Sequence, residues 1–166
     1  MHVILRPVGL LVFAFLFIVS CTVSVLPPFD GSLVRKVDEL NGKTLALFAA
    51  VEDGSPRNDF VKFERDYNDL IGGFEGAITQ AKARDIPPLG QRLARSARFE
   101  TICKSPDAAE CLDTTPSDLT AVADGLRDMR NTHKDSGLDD GLVELFKADY
   151  ELSINAILTI ESALER

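Results

Sequence analysis

Downstream of residue 30, apolar residues recur at alternating intervals of three and four, the spacing that places side chains on one face of an α-helix. The clearest seam runs Phe60, Phe63, Tyr67, Leu70, Phe74, Ala77 and Ala81. A second comprises Val143, Phe146, Tyr150, Ser153, Ile157, Ile160 and Leu164. Leu119, Val122, Leu126, Met129 and His133 form a third, and Leu33, Val37, Leu40, Thr44, Leu47 and Val51 a less pure fourth. Four such seams, with no β pattern and no repeat, predict an all-α protein: an antiparallel four-helix bundle.

The predicted boundaries carry capping chemistry. Asp30 is placed to cap the first helix and Gly54 to follow it. Ser55-Pro56 reads as a cap followed by proline at the first helical position. Ile86-Pro87-Pro88 stops the second helix, and Thr115-Pro116-Ser117-Asp118 reads as cap, proline and acid, close to a capping box. Gly137 ends the third helix and Asp139 starts the last. The connections near 53–56 and 136–139 are short, so they predict antiparallel neighbours. Segment 86–115 is a long crossover predicted to carry one extra short helix over residues 89–99.

The chain upstream of residue 30 follows another pattern. One positive charge, Arg6, precedes an uncharged run from Val8 to Val19, which ends in Ile18-Val19-Ser20-Cys21. A membrane span needs about 20 apolar residues, so this run is short for one and suited to a signal-peptide core. The stretch resembles the lipobox of bacterial lipoproteins, in which an aliphatic and two small residues precede an obligatory cysteine. That resemblance covers roughly residues 1–22. It implies cleavage before Cys21, acylation (palmitate among the acyl groups) of Cys21, and a place in the cell envelope. With Thr22 rather than Asp after the cysteine, it points to the outer membrane, facing the periplasm. The alternative is an uncleaved signal anchor, since no charge appears until Asp30. The chain thus divides into a signal peptide at 1–20, a lipidated N-terminus and tether at 21–29, and a bundle domain at 30–166. The tether ends in Pro27-Pro28-Phe29, is stiffened by its prolines, and spans at most about 28 Å, so the bundle is expected close to the bilayer.

Export changes the meaning of the other cysteines. Cys103 and Cys111 are the pair left after Cys21, and in an oxidising compartment they are expected to form a disulfide. Closing so short a loop is worth roughly 2–3 kcal/mol in the chain-entropy model. A metal site is the alternative, but the mature chain holds a single histidine and no further ligands lie near.

The formal net charge is −8, and loss of residues 1–20, which contain Arg6 and no acid, makes it more negative still. Nucleic acid is therefore not expected as a partner, because phosphate binding needs a basic surface. The charge is uneven. Lys82, Arg84, Arg92, Arg95, Arg98 and Lys104 face only Asp85 and Glu100 within residues 81–104. On a short helix Arg92, Arg95 and Arg98 would share roughly one face, opposite Leu89, Leu93 and Ala97. Such a face suits anionic headgroups or an acidic partner; it could equally pair with the protein's own carboxylates.

Other candidate positions are polar or small residues within the seams. Gly72, Gly73 and Gly76 oppose helix formation by about 1 kcal/mol each, which fits either a close helix approach or a kink that opens a pocket. Thr44, Tyr67, Tyr150 and Ser153 would line a small cavity or satisfy one another. A ligand in the core would therefore sit near Gly73, Tyr67 and Tyr150. His133 has no neighbouring ligand or nucleophile in the sequence, and no catalytic, metal or cofactor motif is present. The expectation is a non-enzymatic interaction module with an envelope protein as partner, and the alternative is a binder of a small or lipidic ligand in the bundle core.

Overall fold

The computed structural model describes residues 24–105 and 110–165. Four long helices form the bundle: α1 (Gly31–Ala50), α2 (Phe60–Lys82), α5 (Thr115–Asp135) and α6 (Asp140–Leu164). Two short ones, α3 (Pro88–Ala94) and α4 (Ala97–Glu100), lie in the connection between α2 and α5. The fold is thus all-α. The segments expected to be signal peptide and lipidation site, including Cys21, lie outside the described residues. No helix among those residues is long and apolar enough to cross a membrane.

The seams become the core. Leu33, Val37, Leu40, Thr44, Leu47 and Val51 are all buried, as are Leu119, Val122, Leu126, Met129 and His133. On α2 the buried set is Phe60, Tyr67, Leu70, Ile71, Phe74, Ala77 and Ala81, with Phe63 packed at its edge. α6 departs from its seam. Its buried residues are Val143, Tyr150, Ile154, Ile157 and Glu161, while Ser153 and Ile160 are only half-buried. A straight helix drifts by about 20° per heptad from a strict seven-residue repeat, so over 25 residues the inward face moves on by one position.

Each long helix runs antiparallel to both its neighbours. α2 packs between α1 and α5, and α6 closes the square against α5 and, less intimately, α1. Two contacts between distant residues fix directions, and a third ties α6 to α1 near their midpoints. Gln80 Nε2 donates to Asp30 Oδ2 at 2.8 Å, joining the start of α1 to the end of α2. Tyr67, early in α2, meets His133, late in α5. Tyr150 donates to Asn41 Oδ1 at 2.8 Å, pairing α6 with α1. Residues 24–30, the described residues of the 83–114 connection and the end of α6 therefore gather at one end of the bundle, here the tether end. The two short loops occupy the other.

Several local expectations are corrected. Connection 83–114 is long but not a crossover along the bundle, because α2 ends and α5 begins at the same end. It holds two short helices rather than one: the Ser96 side chain accepts from Phe99 N and starts a new helix, α4. Ser55 does not cap a helix. It exchanges backbone hydrogen bonds with Leu138, each at 2.8 Å, and a 3-10 turn over Arg57–Asp59 precedes α2. Thr115 lies inside α5, where Asp113 Oδ1 accepts from its N–H. Asp30 and Asp139 cap α1 and α6 as expected. Gly54 and Gly137 have φ of 87° and 86°, which only glycine adopts without strain; they let the two end loops pair through Ser55 and Leu138.

Candidate functional site

Three places concentrate polar or reactive groups: a histidine–aromatic cluster in the core, a buried ionic cluster at the tether end, and the basic cap of α3 and α4. An apolar strip on α6 is a fourth feature.

His133 is fully buried among Phe60, Phe63 and Tyr67. Its Nδ1 lies 3.2 Å from the Tyr67 hydroxyl. With the proton on Nε2, towards the Pro56 carbonyl, Nδ1 accepts from that hydroxyl. Nε2 has no hydrogen bond of regular geometry; the nearby acceptor is the Pro56 carbonyl. Burial lowers the His133 pKa below 6.5, against weaker opposing effects of Pro56 and Asp59. Burial likewise raises that of Tyr67 far above the usual phenol value. Each group is held neutral at neutral pH, and no nucleophile or metal ligand joins them. The described residues contain no cluster able to hold a metal ion.

The sign of the resulting pH dependence follows from that depressed pKa. The unfolded chain binds a proton at His133 near pH 6.5, whereas the folded chain resists it. Stability is complete above that pH and declines as the pH falls from 6.5 towards the folded pKa. Urea unfolding of wild type should therefore lose midpoint between about pH 7.5 and 5.5, and His133→Gln should show a smaller loss. An unchanged loss in the variant would place the titrating group elsewhere.

The second feature was not legible in the sequence, where Arg84 counts as one more cation of a basic stretch. Its guanidinium is buried: Arg84, Asp113 and Glu161 side chains are 5, 8 and 2% exposed. Nη2 donates to both Asp113 oxygens at 2.9 and 3.0 Å, and Nη1 lies 2.8 Å from Glu161 Oε1. Thr115 Oγ1 donates to the same Glu161 oxygen at 2.9 Å. The cluster ties together the end of α2, the start of α5 and the last turns of α6. Arg84 Nε alone lacks a partner. A groove of about 530 Å³ opens beside the cluster, lined in part by Lys82, Ile86, Glu110 and Ser117.

Gly73, Tyr67 and Tyr150 do not converge on a cavity. A Cβ on Gly73 would stand 2.4 Å from Leu40 Cδ2, so this glycine serves close packing of α1 on α2. Tyr67 is spent on His133 and Tyr150 on Asn41; burial lifts the Tyr150 pKa to about 12. Thr44 Oγ1 donates back to Leu40 O. The void beside Tyr150 and Ser153 measures about 10 Å³, room for one water at most. That void has no space for a small-molecule ligand.

Arg92, Arg95 and Arg98 are all exposed. The helix break at Ser96 separates Arg98 from the other two, so they do not share one helical face. Cys103 and Cys111 form a disulfide with Cα atoms 5.9 Å apart, closing the loop that follows α4. On the outside of α6, Leu145 and Leu152 are 65 and 73% exposed. With Phe146, Ala148 and Asp149 they line an open hollow of about 470 Å³.

No protein-family model matches the chain, and no curated protein or solved structure is significantly similar to it.

Proposed function

We propose that this chain is an envelope lipoprotein, anchored by acyl groups on Cys21 at the outer membrane and facing the periplasm. In this reading its bundle engages another envelope protein without enzymatic turnover. The observation that carries the interaction reading is the apolar strip on α6. Large apolar side chains left in water on a helix face mark contact surfaces when they are contiguous. Leu145 and Leu152 are two turns apart, roughly 10 Å along the axis, and Glu144, Asp149 and Glu151 flank them. That arrangement suits an amphipathic helix of the partner with an apolar stripe and basic edges.

The test is in-cell crosslinking with mass spectrometry on the native chain, on Cys21→Ala, and on Leu145→Glu with Leu152→Glu. The expected result is a specific partner crosslinked through α6 in the native form. Capture should fall in the unacylated Cys21→Ala form and be reduced by about tenfold or more in the double variant, since each Leu loses its burial in the interface. Both substitutions are at exposed sites, so the thermal midpoint should hold. Recovery of the chain crosslinked only to itself would make the strip a dimer face. No specific partner in any form would overturn the interaction reading. Mass spectrometry of the purified native chain checks the anchor separately, through an acylated Cys21 at the N-terminus.

A further inference from the structure

We propose that the cap formed by α3, α4 and the loop to Lys104 is a docking surface for an anionic phospholipid bilayer, on which the bundle stands by its tether end. The cap is not part of the bundle's packing: α3 and α4 pack against each other and against none of the four long helices. It is pinned instead to the tether. Gly90 is buried against the Val25 carbonyl, so closely that a Cβ there would lie 2.1 Å from that oxygen. Whatever precedes Ser24 therefore reaches the bundle beside the cap. Cys21 is three residues upstream of Ser24, a reach of at most about 11 Å.

The cap's surface has the mixed character of an interfacial segment. Arg92, Arg95, Arg98 and Lys104 are exposed, and none of them is paired with a carboxylate among the described residues. On the bundle, Lys43, Lys62, Arg65 and Arg127 each hold an acidic neighbour, while Arg35, Lys82 and Lys134 are exposed without one among the described residues; the cap differs in gathering four such cations within thirteen residues. The apolar component is equally uneven. Of nine large apolar side chains left exposed among the described residues, five lie at the tether end: Leu26, Phe29, Leu89, Leu93 and Ile102. Arginines and leucines interleaved on short helices place guanidinium groups at phosphate level and apolar tips below it. The disulfide keeps Ile102 and Lys104 on this surface by closing the loop behind them.

The rest of the molecule orients the contact. With the cap basic and the remainder of the chain strongly acidic, an anionic surface attracts one end and repels the flanks. An acidic protein surface would satisfy the arginines but gives no reason for the exposed leucines beside the tether. The cap's preference for anionic lipid does not depend on acylation; only the presence of Cys21 in the same bilayer rests on the lipoprotein reading.

The experiment uses the full chain carrying Cys21→Ala, which cannot be acylated, and measures its binding to phosphatidylcholine vesicles with and without phosphatidylglycerol by flotation. The readout is the ratio of the two affinities, to which the apolar run at 8–19 contributes little because it acts on both lipids alike. At low salt the ratio should be about tenfold or more, given the measured attraction of each basic side chain to an anionic leaflet. It should fall towards one in Arg92→Gln/Arg95→Gln/Arg98→Gln and in high salt. Leu89→Ser/Leu93→Ser should weaken binding to both vesicle types. Helical circular dichroism and the thermal midpoint should be unchanged in each variant, because all the altered sites are exposed. A ratio near one in the parent chain, or a ratio the arginine variant leaves intact, overturns the proposal; cap crosslinks to a protein together with a ratio near one would assign these arginines to that protein.

Discussion

Arg84→Leu is expected to lower the unfolding free energy by about 3–5 kcal/mol, the usual cost of leaving buried charges without their partner. Asp113 and Glu161 would then face each other across the tether end with only Thr115 hydroxyl and N–H donors. For a domain of this size the thermal midpoint should fall by about 10–15 °C. The companion variant separates ion pairing from packing. Replacing Arg84, Asp113 and Glu161 together by leucine removes the uncompensated charge, and buried ion clusters exchanged for apolar residues are often neutral or stabilising. The triple variant should therefore recover most of the loss. A single variant no less stable than wild type, measured by urea unfolding, would mean that water reaches the cluster and solvates the carboxylates.

Tyr67→Ala should cost about 3–5 kcal/mol, through the cavity left by a fully buried ring together with an orphaned imidazole nitrogen. Tyr67 stacks on Phe60 with ring centroids 6.3 Å apart and meets His133 edge-on at 5.9 Å, so the void would open in the α2–α5 contact towards its short-loop end. Tyr67→Phe keeps the ring and removes only the hydroxyl; its cost should be about 1–2 kcal/mol. If the two variants cost the same, the hydrogen bond to His133 rather than the ring would hold the helices together. A structural role also predicts that Tyr67→Phe leaves partner crosslinking through α6 unchanged.

The sequence and the structure agree where one residue pattern has one solution. The buried faces of α1 and α5 follow their seams position by position because apolar side chains at helical spacing must turn to the same interior. Asp30 and Asp139 were legible as caps, since a carboxylate that accepts from N–H groups two or three residues on acts within its own turn. The failures share a cause. Ser55, Thr115, Glu161 and Arg84 each take partners far away in the chain, and no local spacing records those partners. Glu161 follows the seam residue Ile160 and belongs to no apolar seam, yet its carboxylate is inside because Arg84 and Thr115 reach it.

The candidate site divides the same way. Its charged and apolar constituents, Arg92, Arg95, Arg98, Leu89 and Leu93, could be read directly from the chain. That two short helices carry them, and that these stand clear of the bundle against the tether, follows from the Ser96 cap and the contact between Gly90 and Val25. Gly73, Tyr67 and Tyr150 suggested a pocket because polar and small residues in a seam are compatible with either a cavity or a close contact. Packing decided for contact: Leu40 occupies the space over Gly73, while His133 and Asn41 take the two phenols. By itself the sequence determined the four long helices, the core faces of α1 and α5, the caps at Asp30 and Asp139 and the uneven charge, since each depends on residues within a few turns of one another. Tertiary structure alone decided which buried polar groups pair and which segments share an end of the bundle, because those are distances between residues that the chain order keeps far apart.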